Sequence, residues 1–507
     1  MKIFNLAYAE ILKQVKKTSF KVCVLILLAL AIGLPILFKV FQNSSSVSGV
    51  FTEDDLKYYD SEVIKNPKTE QDKITNDLNK TMIEVIKQSF KLEKGKKSTD
   101  FKIDLYDEYS KSKMTVIAIT YMMNNSKVDY QLLDENFGLN TNNYKDLDQN
   151  TLSALKERYI KKVSNTEKII EEDNYSYYLK KELELAKNSD EKNNDVIKTY
   201  EKLLKLNIKD SNDFRIEEGR KIIGYYNQKE SIMSELEYKK TDNKISYDNY
   251  VKLTKAKNEE LDKKIKKSWY AINHNIDFNK KGSKTALDES IGNNIVFLGI
   301  IIVIIAGGIV SNEFQKGTIR LLVIRPNKRW KVLLSKLLTV VVLTAGLALI
   351  TYIASFITNG ILYNFKDYFI TDLVVKNGKV SELNYIIHSL GKMTILLIPT
   401  FFVGLLSFSL STITKNTALS VGLSIFLLVG YSLIIMILSL INCPFINLTF
   451  LPYMDYSQFL NPMTLIDNCY AYETYYNFTY ANVVLLTWGI FIYMISNLIF
   501  IKRDIKN

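Results

Sequence analysis

Residues 291–310 read IGNNIVFLGIIIVIIAGGIV, a run of 20 residues without a charged side chain. An α-helix rises about 1.5 Å per residue, so a run of this length crosses the hydrocarbon core of a bilayer, which is about 30 Å thick. A helix on the surface of a soluble domain needs only one apolar face and carries charges on the other. This stretch therefore predicts a membrane-spanning helix.

Five further segments meet the same length criterion, at 22–40, 337–362, 393–412, 418–441 and 481–501. The first follows basic residues, as the apolar part of a signal peptide does. Its apolar stretch is long for a signal peptide and no small-residue cleavage site follows it, so we interpret it as a retained anchor. The sequence predicts an all-α membrane protein with six transmembrane helices.

The segment between the first two spans, residues 42–290, is much longer than a connection needs to be. Its apolar residues recur at helical spacing, as at Met82, Ile83 and Ile86, and it contains a single proline, Pro67. We predict a mostly helical extracellular domain there, with the continuous apolar run 114–123 at its buried centre.

The predicted organisation divides the rest of the chain by its hydropathy. Residues 1–21 form a cytoplasmic interfacial helix, although an extension of the first span fits them nearly as well. The further divisions are 22–41 as the first span, 291–310 as the second, 311–336 as a cytoplasmic segment, 337–501 as spans three to six with outer loops 363–391 and 442–480, and 502–507 as a cytoplasmic tail.

The distribution of charge predicts the orientation. The chain has a formal net charge of +12, and the excess of Lys and Arg lies beside the apolar runs. The loop 442–480 contains no Lys or Arg at all. Because cytoplasmic loops are enriched in these residues, both termini are predicted to be cytoplasmic in a multi-pass protein of the cell membrane. Basic residues beside spans indicate lipid headgroups as partners and argue against nucleic acid.

No constellation of residues predicts catalysis. The two histidines, His274 and His388, lie far apart, and no HExxH or paired-cysteine motif is present. Gly95-Lys-Lys-Ser matches the end of a phosphate-binding loop, but Phe90 occupies the position of the first glycine. We therefore expect neither an enzyme nor a cofactor or metal site. Cys443 and Cys469 fall in one predicted outer loop, where a disulfide and two free thiols are both open alternatives.

Residues 311–336 read SNEFQKGTIRLLVIRPNKRWKVLLSK. An acidic residue, Gly-Thr, paired leucines, proline, arginine and a later lysine follow one another here, directly after the second span. These positions are Glu313, Gly317, Thr318, Leu321, Leu322, Pro326, Arg329 and Lys336. Their order and placement resemble the permease subunits of type 2 ABC exporters. The resemblance covers the six spans and this segment, about half of the chain.

The resemblance implies that this stretch is a coupling helix that docks into a groove of a cytoplasmic ABC ATPase subunit. The residue types suit that role, since Gly317 allows a sharp turn and Arg320, Arg325 and Arg329 can pair with carboxylates. ATP and Mg²⁺ would then bind to the ATPase and not to this chain. The alternative is an ordinary basic loop beside the membrane, which accounts for the charges but not for the order of the other residues.

The expected function is therefore that of a permease that moves an amphipathic substrate, namely a peptide, a lipid-linked molecule or a drug. A second copy or a related permease would complete a dimer. The large extracellular domain departs from the simpler members of the family. It leaves open a second function, a sensor or mechanical arm that acts on cell-wall enzymes or binds antimicrobial peptides without transport.

Overall fold

The structure is a computed structural model that describes residues 2–45, 50–93, 100–124, 127–172, 175–189, 192–208, 213–240, 247–280, 282–318, 328–441, 445–471 and 476–502. Nearly all of the regular structure in these residues is α-helical. The helices are α1 (Lys2–Lys16), α2 (Thr18–Ser45), α3 (Glu53–Ser61), α4 (Glu70–Leu92), α5 (Asp100–Met123), α6 (Tyr130–Phe137), α7 (Gln149–Glu172), α8 (Tyr175–Asn188), α9 (Asn194–Lys205), α10 (Phe214–Lys240), α11 (Tyr247–His274), α12 (Ser283–Gln315), α13 (Arg329–Asn359), α14 (Tyr385–Thr414), α15 (Thr417–Leu440), α16 (Ser457–Leu460), α17 (Pro462–Ala471) and α18 (Phe478–Lys502).

Six of the described helices are long and apolar enough to cross a membrane, which confirms the predicted fold class. They are α2, α12, α13, α14, α15 and α18, and we call them spans 1 to 6. Each contains most of one apolar segment identified in the sequence. Span 2 runs from Ser283 to Gln315 and so extends beyond the apolar run 291–310 at both ends.

The described residues divide into two compact units. The first, the membrane unit, comprises Met1–Val40, Gln228–Tyr270 and Ile276–Asn507. The second, the helical unit, comprises Phe41–Asn227 and Ala271–Asn275. The predicted inserted domain 42–290 is thus divided between the two. The physical reason lies in α11, whose Leu253 is buried in one apolar cluster with Tyr453 and Tyr456 of the last loop.

The helical unit forms its core where the sequence predicts it. Helices α3 and α4 each begin with a capping box, in which Thr52 pairs with Asp55 and Thr69 with Asp72. One apolar cluster joins α4, α5, α6 and α7, and within it Ala118 and Ile119 from the run 114–123 have no exposed surface. The buried apolar face therefore explains why these polar sequences remain helical.

Span 2 lies at the centre of the membrane unit and packs against spans 3, 4 and 5. Small residues permit the close approach, since a Cβ at Gly404 on span 4 would lie 2.9 Å from Ile302 Cγ2. Helices in lipid gain little from apolar contact alone, and hydrogen bonds between spans supply part of the association. One such bond runs from Ser407 Oγ to the carbonyl oxygen of Val303, at 2.9 Å.

A proline in span 1 leaves one backbone carbonyl free to accept a hydrogen bond from span 3. Pro35 has no N–H group, so the carbonyl of Ala31 lacks its partner within the helix. Ser355 Oγ of span 3 donates a hydrogen bond to that carbonyl, at 3.3 Å. Ala31 itself is completely buried. This bond connects span 1 to span 3, while most of the apolar surface of span 1 is exposed.

A β-hairpin connects spans 3 and 4, which the all-helical prediction did not include. Strand β1 (Asp372–Lys376) pairs antiparallel with β2 (Lys379–Leu383). The two residues between them, Asn377 and Gly378, both have positive φ, at 49° and 77°. Asn-Gly is the preferred sequence for this two-residue turn, because both positions require a left-handed backbone.

Candidate functional site

The site predicted from the sequence begins at the end of span 2. Glu313 lies in the last turn of the helix, which stops at Gln315. Gly317 then adopts a φ of 67°, a left-handed conformation that is typical of glycine after a helix. The hydroxyl of Thr318 lies 3.5 Å from the carbonyl oxygen of Glu313. The chain therefore changes direction at Gly317, directly after span 2.

The central part of the predicted coupling segment, residues 319–327, lies outside the described residues. It contains Arg320, Leu321, Leu322, Arg325 and Pro326. The structure resumes at Lys328, and span 3 begins at Arg329.

Lys336, at the end of the predicted segment 311–336, forms an ion pair with Glu313 near its beginning. Its side chain is only 2% exposed. The ammonium group lies 2.9 Å from Glu313 Oε1 and 3.1 Å from Glu10 Oε2. A buried ammonium group requires anionic or carbonyl partners, because leaving it unpaired away from water costs several kcal/mol. Glu313 and Glu10 fill that requirement.

Helix α1 contributes the other half of the cluster. Lys13 forms an ion pair with Glu313, and Gln14 Nε2 donates to Glu10 Oε1 at 2.8 Å. Ala7, Glu10 and Gln14 face inward, while Phe4 is 72% exposed. The packed side of α1 thus combines the small Ala7 with the polar Glu10 and Gln14, while larger apolar side chains such as Phe4 and Leu12 are exposed, which suits a helix at a membrane interface. We call Glu10, Lys13, Glu313 and Lys336 the Glu313 cluster.

The charges of the Glu313 cluster stabilise one another. Burial alone raises the pKa of Glu10, but Lys336 and Lys13 outweigh burial and hold this pKa below its ordinary value. Burial lowers the pKa of Lys13, yet the pairing with Glu313 and Glu10 raises it above the ordinary value. Both groups are therefore charged at neutral pH. The second oxygen of Glu313, Oε2, is buried and accepts no hydrogen bond within the described residues.

The same end of span 2 also contacts spans 4, 5 and 6. Ser311 N donates to Ser411 Oγ at 3.0 Å, and the hydroxyls of Ser311 and Thr417 lie 2.6 Å apart. The ring of Phe314 makes an edge contact with Phe500 of span 6, with centroids 6.4 Å apart. A displacement of this helix end would therefore act on every span that it contacts.

A second polar cluster lies at the opposite end of span 2, and sequence reasoning missed it. Asp372 binds Lys284 Nζ at 2.6 Å and His388 Nδ1 at 2.7 Å. Asp288 accepts from Lys392 Nζ at 2.7 Å and from the hydroxyl of Tyr385 at 3.0 Å. We call these six residues the Asp372 cluster.

The Asp372 cluster fixes a strand to two spans. Burial alone raises the pKa of Asp372, but the bonds from His388 and Lys284 outweigh burial and lower this pKa to about 2. Lys284 also donates to the carbonyl oxygen of Ile370 at 3.1 Å. The part of the chain that the structure describes holds no group of three or more His, Cys, Asp or Glu residues suited to a metal ion.

The described residues of the loop 442–480 pack against one another and against spans 2, 4 and 6. Tyr453, Tyr456 and Tyr476 are almost fully buried, and Gln458 accepts a hydrogen bond from the hydroxyl of Tyr476 at 2.9 Å. Cys469 is a free, buried thiol that lies 3.8 Å from the carbonyl oxygen of Tyr476. Cys443 lies outside the described residues. Because the predicted partner of Cys469 is not described, the choice between a disulfide and two free thiols stays open.

Comparison with known proteins identifies relatives of the part of the chain that contains spans 2 to 6. A family model described as Protein of unknown function (DUF2705) matches residues 272–506, which include spans 2 to 6. Uncharacterized protein YhcI of Bacillus subtilis (strain 168) is 31% identical over 245 residues, covering 47% of this chain and 74% of that protein. Uncharacterized membrane protein YdbK of the same organism is 26% identical over 211 residues, covering 42% of this chain and 79% of that protein.

Proposed function

The chain belongs to the family described as Protein of unknown function (DUF2705), and from this premise we propose that it is the membrane subunit of an ATP-driven exporter. A separate ABC ATPase would hydrolyse ATP with Mg²⁺, and a second copy or a related permease would complete the assembly. The transported molecule would be amphipathic, of the peptide, lipid-linked or drug class. In this proposal both termini and residues 311–336 face the cytoplasm, and residues 42–227 lie outside.

The observation that carries the proposal is the Glu313 cluster. Segment 319–327 is the part that would contact the ATPase, and Glu313 and Lys336 flank it on either side. Their ion pair joins the two flanks, so a force on the segment is transmitted to spans 2 and 3 together. The unpaired oxygen of Glu313 leaves this carboxylate free to change partners. Rearrangement of the cluster would thus accompany the movement of the spans.

The proposal is tested by co-purification and by ATPase activity in reconstituted membranes. We expect the wild-type chain, isolated in mild detergent, to retain an ABC ATPase whose activity responds to a transported substrate. Glu313→Gln keeps the shape of the side chain and removes its charge, so it should lower coupled ATPase activity by about tenfold or more, as loss of one buried ion pair implies. A matched control is Glu382→Gln, on strand β2 near the other end of the spans.

Two results would contradict the proposal. One is a chain that repeatedly purifies without any ATPase. The other is normal coupling in both Glu313→Gln and Gly317→Ala, because these changes alter the two described features that precede the segment.

The size of the helical unit favours a second candidate function. Residues Phe41–Asn227 form a compact unit with its own core, which a simple connection between spans does not need. Such a unit could bind a cell-wall enzyme or an antimicrobial peptide while the ATPase drives a change in its position. Deletion of residues 50–227, with a short linker in their place, separates the two functions. Transport that survives the deletion supports the exporter, whereas ATPase activity without transport, in the wild type and in the deletion variant alike, supports the sensor or mechanical arm.

A further inference from the structure

A groove opens between spans 3, 4 and 6 of the membrane unit, with a volume of about 490 Å³. This volume lies within the range of small-molecule sites, about 300–1,000 Å³. Phe402 of span 4 forms part of the floor and is 6% exposed, whereas Val341 and Ile490 at the rim are 40% and 60% exposed. Gly489 lets span 6 approach span 4 closely at the groove, since a Cβ there would lie 3.2 Å from Leu405 Cδ2.

The lining of the groove excludes most polar ligands. Among the described residues that line it, only Asn482 and Tyr493 have side chains with polar atoms. The amide of Asn482 is already bonded, because its Nδ2 donates to Phe478 O at 2.8 Å and its Oδ1 accepts from Tyr456 at 3.2 Å. A peptide or a polar drug would leave its own hydrogen-bonding groups unpaired here, at a cost of several kcal/mol. A hydrocarbon chain brings no such groups.

One end of the groove is flanked by cations. Span 3 begins and span 6 ends at the same level, where Arg329 Nη1 donates to the carbonyl oxygen of Ile501 at 3.0 Å. Lys331 and Lys502 belong to the same two helix ends. Leu337, at the near end of the groove, lies about 12 Å along span 3 from Arg329, at 1.5 Å per residue. An acyl chain whose headgroup lies among these cations can extend over that distance into the groove.

We propose that the groove binds one hydrocarbon chain of an anionic, phosphate-bearing amphiphile, whose phosphate lies beside Arg329, Lys331 and Lys502. The inference rests on the proposed function, and it selects the lipid or lipid-linked class over peptides and drugs. A membrane phospholipid and a lipid-linked cargo molecule share this chemistry. The experiment therefore includes a competitor of each kind.

The probe is a phosphatidylglycerol with a photoactivatable diazirine in its acyl chain, added in trace amount to the full chain in phosphatidylcholine nanodiscs. We expect crosslinks on spans 3, 4 and 6 at the groove. Val341→Trp and Ile490→Trp fill the groove from its exposed rim without crowding the core. Each should lower labelling by about tenfold, the change expected when about two methylene groups of the chain lose their contacts.

The matched controls are Phe426→Trp and Leu433→Trp on span 5, at positions that are 60% and 61% exposed and do not line the groove. They should leave labelling within roughly twofold of the wild type, because substitutions at exposed positions change the free energy by only about 0.5 kcal/mol. Lys331→Gln with Lys502→Gln should weaken labelling by phosphatidylglycerol more than labelling by a phosphatidylcholine probe. An excess of unlabelled phosphatidylglycerol or of an isoprenyl phosphate should displace the probe, and the more effective of the two indicates the source of the natural ligand.

Three outcomes would overturn the inference. The first is equal labelling of span 5 and of the groove, and the second is a probe that neither competitor displaces. The third is a Leu486→Cys variant that forms a disulfide-linked dimer, because a second copy of the chain would then occupy the groove. The result is separable from the proposed function. Specific labelling without a co-purifying ATPase would support the lipid site and contradict the exporter. A co-purifying ATPase without specific labelling would contradict only the lipid site.

Discussion

The Glu313 cluster and the Asp372 cluster lie at opposite ends of span 2, separated by about 43 Å of helix at 1.5 Å per residue. Each contains a charge of the sign that the helix end disfavours. Glu313 lies in the last turn, where the backbone carbonyls are partly negative, and Lys284 lies in the first turn, where the N–H groups are partly positive. Each of these charges is therefore retained only because neighbouring elements supply the opposite sign.

The two clusters differ in how well they satisfy their carboxylates. All four oxygens of Asp372 and Asp288 accept a hydrogen bond or an ion pair. Glu313 is buried more deeply, yet one of its oxygens accepts none within the described residues. A fully bonded network fixes a single arrangement, whereas an unsatisfied buried group favours a change of partner. The comparison indicates a rigid end at the Asp372 cluster and an end at the Glu313 cluster that can rearrange. In the proposed orientation these are the outer and the inner end of span 2.

The largest expected effect is at the inner end. Lys336→Met removes the ammonium between Glu313 and Glu10 and leaves two buried carboxylates with Lys13 as their remaining cation. Breaking a buried pair in this way costs about 3–5 kcal/mol of unfolding free energy. Unfolding in detergent, followed by tryptophan fluorescence, measures the loss.

Lys331→Met is the matched control for Lys336→Met, since it lies in the same helix and carries the same charge. Its ring contact with Trp330, at 5.5 Å, is worth about 0.5–1 kcal/mol at an exposed site. Adding Glu313→Leu to Lys336→Met should cost less than the sum of the two single changes, because one uncompensated charge disappears. Equal stability of Lys336→Met and Lys331→Met would contradict the assignment of Lys336 to a buried ion cluster.

The outer end should show its contribution through pH. The pKa of Asp372 is lowered to about 2 in the folded chain, below the value of about 3.9 for an unfolded aspartate. A lowered pKa stabilises the folded state above pH 4, and this stability is lost as pH falls through the folded value. The difference corresponds to about 2 kcal/mol. Asp372→Asn should therefore be less stable than the wild type at pH 7, by at least this amount.

The pH dependence separates this effect from a simple loss of packing. Between about pH 5 and pH 2 the wild type should lose its advantage over Asp372→Asn, because its carboxylate becomes protonated. Parallel unfolding curves for the two chains at each pH give the difference directly. A difference that stays constant down to pH 2 would show that the Asp372 carboxylate is not held in an ion pair.

The sequence predicted more of the Glu313 cluster than of the Asp372 cluster. The spans follow from the length of their apolar runs, and Glu313, Gly317 and Lys336 were identified by their order along one segment. The part played by Glu10 was not predicted, because it lies about 300 residues away in the sequence and charge patterns along a chain do not give distant pairs. In α1 the packed side contains Ala7 together with the polar Glu10 and Gln14, and the placement of this helix at a membrane interface stays a prediction.

At the outer end the sequence does contain a signal for the hairpin. Asn377-Gly378 lies between two five-residue runs, 372–376 and 379–383, that contain three valines, and the hairpin brings Asp372 to span 4. His388 alone does not predict a site, because no second histidine lies near it in the sequence. Its partner is a carboxylate that becomes adjacent only when the strand and the span pack together. Clusters that join loops to spans depend on tertiary contacts and cannot be predicted from composition or periodicity.

The smallest expected effect compares two glycines, one at each end. Gly317 and Gly378 have φ values of 67° and 77°, and in both cases a Cβ would meet no atom within 4 Å. Alanine at either position therefore costs only the left-handed backbone, about 1–2 kcal/mol, and the two variants should unfold at similar temperatures. Their effects on function should differ. Gly317→Ala alters the turn that leads into segment 319–327 and should lower ATPase coupling, whereas Gly378→Ala should leave coupling unchanged. Equal coupling in two equally destabilised variants would mean that the inner turn has no role beyond closing the helix, and that the difference between the two ends of span 2 lies in the charges alone.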